Sequence, residues 1–354
     1  MARSHQVAGT WPPVDGSIPR GAQAMTEHPH VALRRQRLRT FVDLSSGVGL
    51  EIGPLDAPVA TKPSCDVRYV DVLDTAALRE HFRGDPKVDL EGIVTVDFPL
   101  TCEGKVRTLA EAAGTCAPYR WVVASHVVEH VPDLVGWLSD VAAILENDGL
   151  LLLVVPDRRF SFDAMRPPTT VGQLLEAHSR LDTAPSERAV YDHFRSSVEI
   201  SAEALWAGAP AKDAQRMCSL EDAMSMREAA LRGEYIDSHV WVFSPTEFVS
   251  QLAELGELDL MDFTVDHVQP TAPNELEFYA LLRRLPRDAT TERGTEMRRA
   301  AFPKLDAELA RFAQEPDLPG DQRETMELSA LEARLIRAKR FVMRRVRALR
   351  LSAT

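Results

Sequence analysis

Six consecutive apolar residues, Leu150 to Val155, restrict the fold of this chain more than any other stretch. Strand side chains point alternately to opposite faces, so a strand apolar at every position has no face for water and must lie inside a sheet covered on both sides. Six residues is far short of the roughly 20 that cross a bilayer as a helix. Four more strand-length runs precede it: Val48 to Ile52, Val67 to Val72, Gly92 to Val96 and Trp121 to Ala124. Between the last of these and Leu150, the segment Val131 to Asn147 places Leu134, Leu138, Val141, Ala142 and Leu145 at three- and four-residue spacing. That is the stripe of an amphipathic helix, and Asn147-Asp148-Gly149 supplies its stop. Short apolar strands alternating with helices predict an α/β fold with a doubly wound, mostly parallel sheet, whose ligands sit beyond the carboxyl ends of the strands.

The rhythm breaks over residues 157–240, which are rich in Arg, Asp, His and Met and helical in pattern, so this stretch reads as a mainly helical insertion. It resumes at Ser244-Pro245-Thr246-Glu247, a capping box with Pro at the first helical position, which predicts a helix to about Leu255. Two further strand candidates, Asp259 to Val268 and Glu275 to Leu282, flank the turn-rich QPTAPN and predict an antiparallel edge, for seven strands in all. The expected organisation is a flexible N-terminal arm over 1–40, a catalytic domain over 41–285 and a helical C-terminal extension over 286–354.

Charge sorts the partners. The 354 residues carry 41 Lys or Arg against 53 Asp or Glu, a net −12, which opposes general nucleic-acid binding. Residues 333–354 nevertheless hold eight basic side chains and no acid, with Leu335, Val342, Val346 and Leu349 on one stripe. Such a basic amphipathic helix suits packing on the acidic body, self-association with a second copy, or peripheral contact with an anionic membrane. Cys65, Cys102, Cys116 and Cys218 are widely spaced, suggesting neither a disulfide framework nor a zinc site, and fitting a cytoplasmic setting. The N-terminus shows no apolar segment of export type.

The chemistry-bearing residues lie where strands end. The first run closes in Glu51-Ile52-Gly53-Pro54-Leu55-Asp56, and the second closes in Asp71-Val72. That spacing of about 20 residues places an acid against ribose hydroxyls. The loop has one glycine, two prolines that lack amide protons, and an acid in Asp56, so it disfavours a pyrophosphate and a nicotinamide-dependent oxidoreductase. A nucleoside cofactor without phosphate fits better.

These residues, with Ala124 to Asp133 (ASHVVEHVPD) and Asn147 to Asp157 (NDGLLLLVVPD), resemble the class I S-adenosylmethionine-dependent methyltransferases over about residues 41–285. The chain departs from that family at Leu55, where a second glycine is usual. Arg166-Pro167-Pro168-Thr169 and the HVWVF stretch further resemble a bacterial subgroup acting on small molecules and glycans. The resemblance implies a Rossmann-like methyltransferase fold and S-adenosyl-L-methionine as cofactor. It also implies Glu51, Gly53 and Pro54 near the methionine moiety, Asp71 and Val72 at the ribose, Asp97 and Phe98 at the adenine, and Ser125 and His126 beside the sulfonium.

A hydroxyl acceptor benefits from a general base, and histidine is suited to it. His126, at the end of the fourth run, is the first candidate. His130 lies four residues on and would share a helical face with it, while His193 and His239 are secondary candidates for the acceptor pocket. Arg166 could hold an anionic acceptor group, whereas Arg195 reads as surface. His126 and His130 lack the H-E-x-x-H order and a third ligand by spacing, so no metal is expected. The expected function is methylation of a hydroxyl of a small molecule or sugar. The alternative is a catalytically silent methyltransferase-fold subunit that binds a partner enzyme.

Overall fold

The computed structural model of the chain describes residues 29–289 and 291–312. The arm over residues 1–28 and the basic helix expected near 331–350 lie outside the described residues. Seven strands form one sheet: β1 Val48–Ile52, β2 Asp66–Asp71, β3 Phe98–Pro99, β4 Tyr119–Ser125, β5 Leu145–Pro156, β6 Phe263–Gln269 and β7 Glu277–Arg284. Their order is β3-β2-β1-β4-β5-β7-β6. The first five pair in parallel, and β7 is antiparallel to both β5 and β6. The helices are α1 Pro29–Phe41, α2 Thr75–His81, α3 Leu109–Ala113, α4 Leu134–Ile144, α5 Val171–Arg180, α6 Glu187–Ser196, α7 Ala202–Trp206, α8 Leu220–Leu231, α9 Pro245–Glu257 and α10 Thr291–Phe312.

The two-period of a strand divides β5 between two cores. Leu151, Leu153 and Val155 join Leu134 and Leu138 of α4, Leu174 of α5 and Phe248 of α9. Leu150, Leu152 and Val154 join Leu38 of α1 with Val67, Tyr69 and Trp121. The chain order reverses between β1 and β4, so the crevice for a ligand opens at the carboxyl ends of these two neighbours. Among the described residues, no helix is long and apolar enough to cross a membrane, and the four cysteines are free.

Several boundaries differ from the sequence reading. The expected arm is helical from Pro29, because Val31 and Leu38 are buried against the body. Gly92 to Val96 is not a strand: the Val94 amide donates to the Leu55 carbonyl and the Val96 amide to Thr75 Oγ1. Pairing with β2 begins only at Phe98. The helix α4 starts at Leu134, where the Asp133 side chain accepts the Gly136 amide, and it ends at Ile144. Asn147-Asp148-Gly149 then lies within β5, where Asp148 takes φ +59°.

Gly49 is a packing requirement rather than a flexible point. A Cβ there would lie 2.1 Å from the Trp121 ring, which is fully buried across the β1–β4 pair. Gly49→Ala should therefore cost about 3 kcal/mol of stability. Urea denaturation reads it as a lowered midpoint, and an unchanged midpoint would contradict this packing.

Candidate active site

The β1 end is shaped by a loop that folds back on its own carboxylate. Glu51 is buried, and its two oxygens accept the amides of Val59 at 2.6 Å and Ala60 at 2.8 Å. Burial pushes its pKa up to about 7 against the pull of those two amides and of Arg35. Each oxygen thus holds one amide of the loop that follows β1. Gly53 takes φ +63°, a conformation that glycine adopts without strain. Its amide donates to the Val70 carbonyl, while Pro54 is buried beside it. No helix occurs between β1 and β2. The amide-rich helix N-terminus that would bind a pyrophosphate at this position is therefore missing.

At the β2 end, Asp71 accepts the Val72 amide at 2.7 Å. Burial raises its pKa to about 6, opposed by the amides of Val72 and Leu55. The Val72 side chain is exposed. Asp97 and Phe98 fall elsewhere. Asp97 comes one residue before β3, where its carboxylate accepts the Tyr69 amide at 2.8 Å and pairs with Lys62 at 3.0 Å. Phe98 packs against the main core beside Val70 and Leu109. Both lie at the start of β3, whose carboxyl end leads into Leu100 and Thr101.

At the β4 end, Ser125 Oγ is buried without a hydrogen-bond partner. His126 follows with φ +55°, its amide donating to the Val154 carbonyl. Its Nε2 lies 2.7 Å from Glu277 Oε2 and 2.9 Å from Arg34 Nη2. Glu277 also accepts Arg34 Nη2 at 2.6 Å and the Tyr279 hydroxyl at 2.8 Å. An arginine has no lone pair to offer. Arg34 Nη2 has Glu277 as its acceptor, so a proton on Nε2 lets the ring donate to Glu277 as well and leaves the lone pair on Nδ1, at the cost of setting two donors, Nε2 and Arg34 Nη2, side by side. Nδ1 lies 3.5 Å from Glu129 Oε1.

The other histidines separate into distinct roles. Residues 126–130 precede α4, so His126 and His130 share no helical face. His130 Nδ1 bonds Asp237 at 2.9 Å. Burial works against its protonation, but Asp237, with Glu129 and Asp163, raises its pKa to about 9. His239 Nδ1 bonds Asp163 at 2.5 Å, and Arg166 bonds both Asp163 and the His239 carbonyl. Burial and the neighbouring His239 push His193 down to about 3. As a neutral acceptor, His193 takes the His239 amide on Nδ1. The histidine that meets His130 is His239, with ring centroids 4.8 Å apart. Sequence reasoning missed Arg34, Asp237 and Glu277; of these only Glu277 left a signal, as the one charge in the otherwise apolar run LEFYALL.

The residues at the β1, β2 and β4 ends fit an adenosyl sulfonium. Gly53 is exposed at the turn, Asp71 places a carboxylate at the end of the neighbouring strand, and the buried Ser125 hydroxyl has no hydrogen-bond partner. The family model described as a methyltransferase domain matches residues 27–256. Solved structures similar to the chain include a SAM-dependent methyltransferase from Methanosarcina mazei, at 13% identity over 71% of this chain and 97% of that one, with a TM-score of 0.35. A putative S-adenosylmethionine dependent methyltransferase from Listeria monocytogenes matches at 13% identity over 72% and 98%, also at 0.35. The N-methyltransferase NodS from Bradyrhizobium japonicum matches at 12% over 73% and 99%, at 0.33. No curated protein matches the chain.

Proposed function

The chain belongs to the methyltransferase domain family, with S-adenosylmethionine as its cofactor, and from that premise we propose that it methylates a hydroxyl oxygen of a small molecule or sugar in the cytoplasm. The observation that carries this reading is His126: a histidine at the carboxyl end of β4, with Nε2 held by Glu277 and Nδ1 on the opposite side of the ring. When bound, S-adenosylmethionine supplies a methyl group whose bond to sulfur breaks as the acceptor oxygen bonds to carbon. Asp71 binds the ribose hydroxyls, and Gly53 gives the backbone room to approach the cofactor. Ser125 orients the reacting end from below. His126 takes the acceptor's hydroxyl proton on Nδ1, while Glu277 and Arg34 keep the ring in one orientation. The helix α1, tied by Arg35 to the Pro58 carbonyl and by Arg37 to Glu275, closes this side of the crevice against water.

The test begins with a screen of hydroxylated small molecules and sugars against methyl-labelled cofactor. With an acceptor in hand, His126→Asn keeps a side chain that tolerates positive φ and removes the base. Turnover should fall about 10²–10⁴-fold, with S-adenosylhomocysteine binding nearly unchanged. Normal turnover in His126→Asn would remove His126 from the base role. Amines methylated in preference to hydroxyls would overturn the oxygen assignment.

A further inference from the structure

We propose that Glu129, His130 and His239 form a binding site for a divalent transition-metal ion, beside the basic nitrogen of His126. One ligand atom from each of the three lies within 4.8 Å of the others. Metal bonds of about 2.0–2.2 Å put ligand atoms roughly 3–4 Å apart, so small side-chain rotations close the set.

Two independent features point to a cation. Glu129 is 2% exposed, yet neither carboxylate oxygen accepts a hydrogen bond. Among the described residues, its one ion-pair contact is His126 Nδ1, at 3.5 Å too long for a good hydrogen bond, and a buried carboxylate in that state is costly unless a cation satisfies it. The second feature is the way both histidines are held. His130 Nδ1 bonds Asp237 and His239 Nδ1 bonds Asp163, so each ring turns its Nε2 away from its carboxylate. A carboxylate behind the far nitrogen is the arrangement that orients metal-ligating histidines and raises their basicity, and an ion takes the His130 Nε2 by displacing its proton to solvent.

The backbone makes the juxtaposition durable. The Glu129 carbonyl accepts the Val240 amide at 2.6 Å, which fixes the residue after His239 to the turn that carries Glu129 and His130. Arg166 anchors Asp163 and the His239 carbonyl together. Two imidazoles and one carboxylate favour Zn²⁺, Co²⁺ or Mn²⁺ over hard cations that prefer all-oxygen sites. Three protein ligands leave coordination positions open for oxygen atoms of an acceptor. The site is defined by its ligands alone, whichever group accepts the methyl.

The test is titration of the full-length, chelator-treated chain with Co²⁺, followed by its visible d–d absorption, and with Mn²⁺ and Zn²⁺ followed calorimetrically. Saturable binding of one ion per chain is expected. Glu129→Gln and His239→Gln should each weaken it by at least about a hundredfold, and Asp163→Asn by about 10–100-fold. The exposed His81→Gln should leave it unchanged. Circular dichroism of each variant reports its fold. Absence of saturable binding of all three ions to the folded wild-type chain would overturn the site, as would binding that Glu129→Gln leaves intact.

Discussion

Glu277→Gln is expected to lower stability by about 3 kcal/mol and to release helix α1 from the body. The carboxylate is the shared acceptor of Arg34, His126 and Tyr279, and its side chain is 9% exposed. Glutamine keeps the shape but leaves the Arg34 guanidinium without its counter-charge and sets an amide donor against two other donors. Burial alone would raise the Glu277 pKa, yet His126 and Arg34 hold it well below the usual carboxylate range. A depressed folded-state value contributes stability that is complete above the ordinary glutamate pKa of about 4.3 and lost as pH falls below it. The wild-type chain should therefore weaken below about pH 4, and the Gln variant should lack that component. Urea denaturation at neutral and acid pH checks both statements, and amide exchange over residues 29–41 reports the helix. Equal stability of the two proteins at neutral pH would mean that the network does not hold α1.

The sheet was legible wherever burial on both faces wrote a continuous apolar run. This held for β4 and β5, while β1 and β2 carry Glu51 and Arg68 within otherwise apolar runs. It failed at β3, a two-residue strand whose pairing rests on Phe98 and Pro99, while the more apolar Gly92 to Val96 gives its amides to a loop carbonyl and a threonine hydroxyl. It failed again at α1. The sequence PHVALRRQRLRTF carries only a narrow apolar stripe, because three of its four arginines, Arg34, Arg35 and Arg37, face carboxylates and a carbonyl of the body. A helix whose polar face is itself buried in ion pairs looks, in sequence, like a solvated arm.

The site divides along a similar line. Positions at strand ends were readable from the fold class, so Gly53, Asp71, Ser125 and His126 gather at one edge. Orientation was not readable. Glu51 and Asp97 are also acids near strand ends, but each turns to backbone amides of its own neighbourhood, Glu51 to Val59 and Ala60, Asp97 to Tyr69. His130 and His239 are 109 positions apart in the sequence, and only the return of the chain after the insertion brings them together.

Asp71→Ala is expected to weaken S-adenosylhomocysteine binding by about 3 kcal/mol, a factor on the order of 100, because hydrogen bonds from two ribose hydroxyls to a carboxylate are lost together. The same carboxylate sets a pH dependence. Its pKa near 6 in the free protein means that hydroxyl donors, which favour the ionised form, must displace a proton below that value, so affinity should fall as pH drops through 6 and level off above it. Glu51 would not produce this profile in the ligand, since its oxygens face the loop amides.

The most direct measurement is calorimetric titration of S-adenosylhomocysteine into the wild-type chain and into Asp71→Ala at pH 7.5 and pH 5.5. The account predicts binding of one ligand per wild-type chain, weaker at the lower pH, and a loss of about a hundredfold in the variant with little remaining pH dependence. A wild-type chain that binds no S-adenosylhomocysteine, or an Asp71→Ala variant that binds as tightly, would contradict a cofactor crevice at the ends of β1, β2 and β4.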